Sequence, residues 1–166
     1  AEKLLDRLVD ANMEYFKRYA DLVGSYVQVI FVGGEDLGTQ RGLEINPELY
    51  RELIKPRHER LWKFMKRNCD AHILVHSCGS IHEIIDDLAD AGADAINPVQ
   101  ISAEGMEPAR LKARFGNRIT FWGGGCDTQR VLPFGTEEEV REEVRKRMKE
   151  FAPGGGFVFS QVHNIQ

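Results

Sequence analysis

The chain has 166 residues, enough for one hydrophobic core, and its 42% hydrophobic and 29% charged residues are ordinary for a globular protein. A net charge of −4, with both signs interspersed, excludes the basic surface that nucleic acid requires. No apolar run approaches the roughly 20 residues of a membrane-spanning helix, so neither nucleic acid nor membrane is expected as a partner. The start, Ala1-Glu2-Lys3-Leu4-Leu5, is charged and amphipathic, unlike a signal peptide. Three widely spaced cysteines, Cys69, Cys78 and Cys126, argue against a disulfide framework, and the expected location is the reducing cytoplasm.

In chain order, apolar residues at helical spacing (Leu4, Leu5, Leu8, Val9, Tyr15, Phe16, Tyr19) predict a helix over 4–23, with Gly24 as its cap. The β-branched run 26–32 predicts a buried strand ending at Gly33-Gly34. Asn46 suits an N-cap and Pro47 the first position of a helix reaching about Asn68. The cycle then repeats. Strands are predicted at 71–76, 95–97, 119–122 and 156–162, and helices at 80–91, 107–115 and 137–151. The last helix has an inner stripe of Val140, Val144 and Met148. Its Glu137, Glu138 and Glu139 are a solvated face that favours the helix N-terminus.

Five strands alternating with helices imply an α/β protein with a parallel sheet and right-handed crossovers. A doubly wound sheet and a (β/α)8 TIM barrel both satisfy that rhythm. No Gly-rich dinucleotide fingerprint follows the first strand. Polar residues follow nearly every strand: Glu35 and Asp36, His76 and Cys78, Asn97 and Gln100, Asp127 and Gln129, His163 and Asn164. Loops converging on one mouth use all five strand ends, which favours the barrel. Residues 1–166 are therefore expected to form one incomplete barrel domain, about five C-terminal strands with their helices. A barrel cut at a strand exposes unpaired edges, so a homo-oligomer or a strand-exchanged assembly is expected.

The most informative segment is His72-Ile73-Leu74-Val75-His76-Ser77-Cys78-Gly79-Ser80. Side chains alternate along a strand, so His76 and Cys78 point to one side and together suit zinc. The plain alternative for each cysteine is a small buried hydrophobe, and Cys69 is read that way. Asp36 is either a turn residue or a carboxylate aimed into the mouth. Gly123, Gly124 and Gly125 at a strand end would let a ligand approach the backbone closely, without the Lys-Ser/Thr ending of a Walker phosphate loop.

Taken in order, His76-Ser77-Cys78-Gly79-Ser80, Asn97-Pro98-Val99-Gln100, Phe121-Trp122-Gly123-Gly124-Gly125 and His163-Asn164-Ile165-Gln166 resemble the C-terminal half of the uroporphyrinogen decarboxylase family. That family includes corrinoid-linked methyltransferases, and its members are eight-stranded barrels. The resemblance implies two uses of these positions. In the methyltransferase branch, a His-x-Cys pair and a later Cys bind zinc; His76 and Cys78 match the pair, and His163 stands where that Cys usually lies. A methyl-corrinoid on a partner protein would then pass its methyl group to a small-molecule thiol. In the decarboxylase branch, a metal-free site acts on a porphyrinogen in tetrapyrrole biosynthesis, and His163 matches the histidine of its Gly-His-Gly. The expectation favours the first branch. It takes His76, Cys78 and His163 as metal ligands, Asp36 and His163 as catalytic groups, and Asn97, Gln100 and Gly123–Gly125 as cofactor contacts. A catalytically empty, self-assembling scaffold is the third reading.

Overall fold

The computed structural model describes residues 1–33 and 36–165. The strand-end carboxylate Glu35 named above lies outside the described residues, with Gly34 and Gln166.

Helix α1 (Glu2–Val23) buries Val9 and Phe16 and leaves Leu8, Tyr15 and Leu22 exposed. It packs on the later helix α3 (Lys55–Asn68), where the Arg57 guanidinium donates to Asp6 at 2.9 Å and Arg60 pairs with Asp10. Gly24 is the C-cap, its N–H bonded to the Ala20 carbonyl, with its backbone in the right-handed region. Its φ of −58° and ψ of −31° carry the chain into a 3-10 turn (Gly24–Tyr26), so strand β1 (Val29–Val32) begins three residues later than the apolar run suggests. The Gly24 carbonyl accepts from the buried Cys69 thiol at 3.1 Å, the packed role expected of that cysteine.

Asn46 caps the next helix through Oδ1, which accepts from the Glu48 and Leu49 N–H groups at 2.8 and 3.2 Å. The predicted single helix is interrupted. Helix α2 (Pro47–Leu49) runs into a π-helical turn (Tyr50–Ile54) before α3 begins. Pro56 is the cause, since it has no N–H to continue the i to i−4 ladder. Asp87, on the helix after β2 (His72–His76), clamps that turn, accepting from Arg51 Nε at 2.9 Å and Lys55 Nζ at 2.7 Å.

The remaining elements are α4 (Ile85–Ala91), β3 (Ala95–Asn97), α5 (Pro108–Phe115), β4 (Thr120–Trp122), α6 (Val131–Phe134), α7 (Glu137–Phe151) and β5 (Phe157–Val158). Helix α4 starts five residues after the predicted Ser80, whose hydroxyl donates instead to the Glu104 carbonyl at 2.6 Å. A capping box between Thr136 and Glu139 opens α7. Strand β5 is shorter than its apolar run. Beyond Val158 the chain leaves regular pairing but still follows the loop after β4, with Gly125 N–H on the Ser160 carbonyl at 2.8 Å and Val162 N–H on that of Cys126 at 3.0 Å.

Among the described residues, all five strands are parallel and stand side by side in chain order, β1-β2-β3-β4-β5. One sheet face carries Ile30, Ile73, Val75, Ile96 and Phe121 into the core with Trp62, Met65, Leu88, Leu111, Phe115 and Phe151 of the helices. A doubly wound sheet reverses its strand order and covers both faces with helices. Here the order never reverses and the core joins the helices to one face. This is the architecture of consecutive units of a (β/α)8 barrel, an incomplete TIM-barrel type. The other face carries Phe31, Leu74, Ala95, His76 and Asn97, and at its β1 edge Val29 and Phe31 are exposed. Among the described residues, no helix is long and apolar enough to cross a membrane.

Candidate metal centre

The centre forms where the loops after β1 and β2 meet beyond the strand ends. Leu37 N–H donates to the Ser77 hydroxyl at 2.9 Å, and Ser80 N–H donates to the Thr39 carbonyl at 2.7 Å. Gly79, at φ +80°, lies so close to Gly38 that an added Cβ would stand 2.4 Å from its carbonyl oxygen. Only glycine permits both that backbone conformation and that approach. With Ser77 turned to the interior, His76 and Cys78 emerge on the opposite side.

His76 Nε2 lies 3.5 Å from Cys78 Sγ and 3.9 Å from Asp36 Oδ1. The same carboxylate oxygen accepts from Cys78 N–H at 2.8 Å. One ligand atom from each of the three residues therefore lies within 4.8 Å of the other two. Burial pushes the Cys78 thiol up to about 11, and the charge and hydrogen bond of Asp36 add to the rise. Ionising that thiol would set a thiolate beside a carboxylate, an arrangement that suits a cation. His76 is partly buried, and its ring centroid lies 5.5 Å from that of Phe31.

The other residues singled out in the sequence are distributed differently. Asn97 partners His76 in the β2–β3 register, and its Oδ1 lies 2.7 Å from His76 Nδ1. Gln100 is buried and braces the Cys78 loop by accepting from Gly79 N–H at 2.9 Å. The three glycines after β4 have their N–H groups on carbonyls of this chain: Gly123 on Val158, Gly124 on Pro98 and Gly125 on Ser160. They serve close backbone packing and leave no free N–H cradle. His163 is exposed and is not drawn into the Asp36-His76-Cys78 cluster. It lines a separate cleft of about 490 Å³ with Thr128, Gln129, Leu132, Phe134 and Asn164. Strands β2 and β5 have β3 and β4 between them, a lateral step of about 14 Å at the usual strand spacing.

Cys126 is buried on the far side of the β4 loop, its Sγ 3.7 Å from Glu143 Oε2. Burial pushes this thiol up to about 11, helped by Glu143 and Asp127 and opposed by Arg147. An unfolded thiol gives up its proton near pH 9 while the folded one keeps it. Folding stability should therefore fall as pH rises from about 9 to 11, and Cys126→Ala should flatten part of that slope. Denaturation midpoints followed from pH 8 to 11 test this; identical slopes in wild type and variant would refute it.

The fold is shared with a known protein. A methyltransferase from Methanosarcina mazei shares the fold, with a TM-score of 0.70 at 18% sequence identity. That match covers 99% of this chain and 43% of the other, so the chain spans less than half the length of that protein. No curated protein matches the chain. The family model of uroporphyrinogen decarboxylase (URO-D) matches residues 1–166, and the chain belongs to the uroporphyrinogen decarboxylase family.

Proposed function

We propose that this chain supplies the metal-binding part of a zinc-dependent methyltransferase, which moves a methyl group from a methyl-corrinoid on a partner protein to a small-molecule thiol. The observation that carries this reading is the convergence of Asp36, His76 and Cys78 on one point. The donor set of nitrogen, sulfur and oxygen is one zinc accepts. Zinc–nitrogen and zinc–sulfur bonds of about 2.0 and 2.3 Å at a tetrahedral angle put N and S about 3.5 Å apart. The His76–Cys78 separation is 3.5 Å. In this reading Asp36, rather than His163, is the third ligand, and three protein ligands leave one position open.

Held there by Asp36, His76 and Cys78, zinc would supply Lewis acidity, lowering the pKa of a thiol at the open position so that its proton is released to solvent. The residues around the site shape it further. Asp36 adds negative charge that favours a divalent cation, His76 presents a neutral nitrogen, and Phe31 forms an apolar wall beside it. His163, at its separate cleft, is free to contact the substrate or the partner. The strand-exchanged or homo-oligomeric assembly belongs to the same proposal, supported by the exposed Val29 and Phe31 at the β1 edge.

The second reading, metal-free decarboxylation of a porphyrinogen, is favoured by the cleft where His163, Gln129 and Asn164 stand among apolar side chains. Elemental analysis of the intact protein separates the two. About one zinc per chain, with thiol methylation lost after chelation and restored by zinc, supports the first. Metal-free protein that decarboxylates a porphyrinogen overturns it. His163→Ala is expected to leave zinc content unchanged, and a fall to none would return His163 to the ligand set.

A further inference from the structure

A histidine can offer either ring nitrogen to a metal, and which one is free depends on what holds the other. The Asn97 carboxamide bridges two groups. Its Nδ2 donates to the Trp122 carbonyl at 2.9 Å, and its Oδ1 lies 2.7 Å from His76 Nδ1. The opposite orientation of the amide would set its oxygen against the Trp122 carbonyl oxygen at 2.9 Å, acceptor against acceptor. The carboxamide oxygen therefore faces the imidazole. An acceptor at that distance requires a proton on Nδ1.

We propose that Asn97 is a positioning residue that holds His76 in the Nδ1–H tautomer and so turns the Nε2 lone pair toward Cys78 and Asp36 for a metal ion; the metal half of this inference rests on the reading above. Three further observations support it. The β2–β3 register puts His76 and Asn97 at partner positions, so both side chains rise from the same face. Ser77 N–H donates to the Asn97 carbonyl at 2.9 Å, fixing the backbone beneath the amide. The Phe31 ring lies 5.5 Å from the imidazole and limits its rotation. Asparagine suits this place better than aspartate. A carboxylate would satisfy His76 but would turn its second oxygen on the Trp122 carbonyl. Neutral imidazole free in water favours the other tautomer, so the bridge has a definite preference to reverse.

The test uses the intact protein without metal, at about pH 8, and long-range ¹⁵N–¹H NMR of the His76 ring. Wild type should show a protonated Nδ1 and a bare Nε2. Asn97→Leu should shift the ring toward the Nε2–H form and lower zinc affinity about 10- to 100-fold, the usual cost of losing such a support. Affinity is read by competition with a chromogenic chelator. Asn97→Asp should keep the Nδ1–H form. A protonated Nε2 in wild type overturns the proposal without recourse to any variant, even if Asn97→Leu fails to fold. An Asn97→Leu protein with unchanged tautomer and affinity overturns it equally. Wild type with protonated Nδ1 that binds no zinc confirms the tautomer, overturns the metal half and removes the functional reading on which it rests.

Discussion

Replacing Cys78 with alanine should lower the zinc affinity of the intact protein by about 10²–10³-fold, enough to leave it metal-free on purification. Zinc sites of four ligands bind with roughly 10–16 kcal/mol, or about 2.5–4 kcal/mol for each ligand. Removing a thiolate sacrifices at least that share, because the remaining donors are a partly buried imidazole and an exposed carboxylate. Cys126→Ala should leave zinc affinity unchanged. Cys126 lies beyond β4 against Glu143, outside the Asp36-His76-Cys78 cluster. Measuring both variants against a competing chelator keeps the test clean, since each loses one thiol. Equal losses would mean that the metal is held by other groups.

The second large effect is on stability. Gly123→Ala should cost about 3–5 kcal/mol, a large part of the ~5–15 kcal/mol that holds a typical domain together. Gly123 has φ +133°, and a Cβ there would stand 1.9 Å from the Pro98 carbonyl oxygen. That oxygen also accepts from Gly124 N–H at 3.0 Å, so it cannot retreat without opening the contact between the loops after β3 and β4. Gly154→Ala isolates the conformational part. Gly154 has φ +77° with nothing within 4 Å of its Cβ position, so only the backbone preference of about 1–2 kcal/mol should be lost. Urea denaturation of the two variants gives the difference. Equal losses would mean that the Pro98 contact contributes nothing.

These expectations mark where the sequence was legible. The barrel rhythm was readable because each strand is a short apolar run and each helix has its own stripe. The His76–Cys78 pair was readable because side chains alternate along a strand, a property of the chain alone. Asp36 could be placed at a strand end, but its meeting with Cys78 depends on the Leu37–Ser77 hydrogen bond between two loops 40 residues apart. Asn97 read as one more polar strand end, and only the β2–β3 register makes it the partner of His76. Run Gly123–Gly125 shows the opposite difficulty. Glycine is required both where a ligand approaches and where the backbone approaches itself, and composition cannot tell the two apart. Residue His163 depends on how far β5 stands from β2, which no local pattern encodes.

The unreversed strand order has a consequence for how the molecule assembles. Every strand pairs only with the strand before or after it in the chain, so the sheet is built entirely from nearest-neighbour couplings, as in a linear array of repeats. Among these five described strands no pairing has to wait for a distant segment to return, and loop-closure entropy stays small at each step. A growing chain could add one strand–helix unit at a time to an already formed edge, with the register of each addition set by the last. Cooperativity then passes along the row rather than across it. At the end of the row, the two-residue β5 is held to β4 by a short register that the Gly125–Ser160 and Val162–Cys126 hydrogen bonds extend into the loops beyond it.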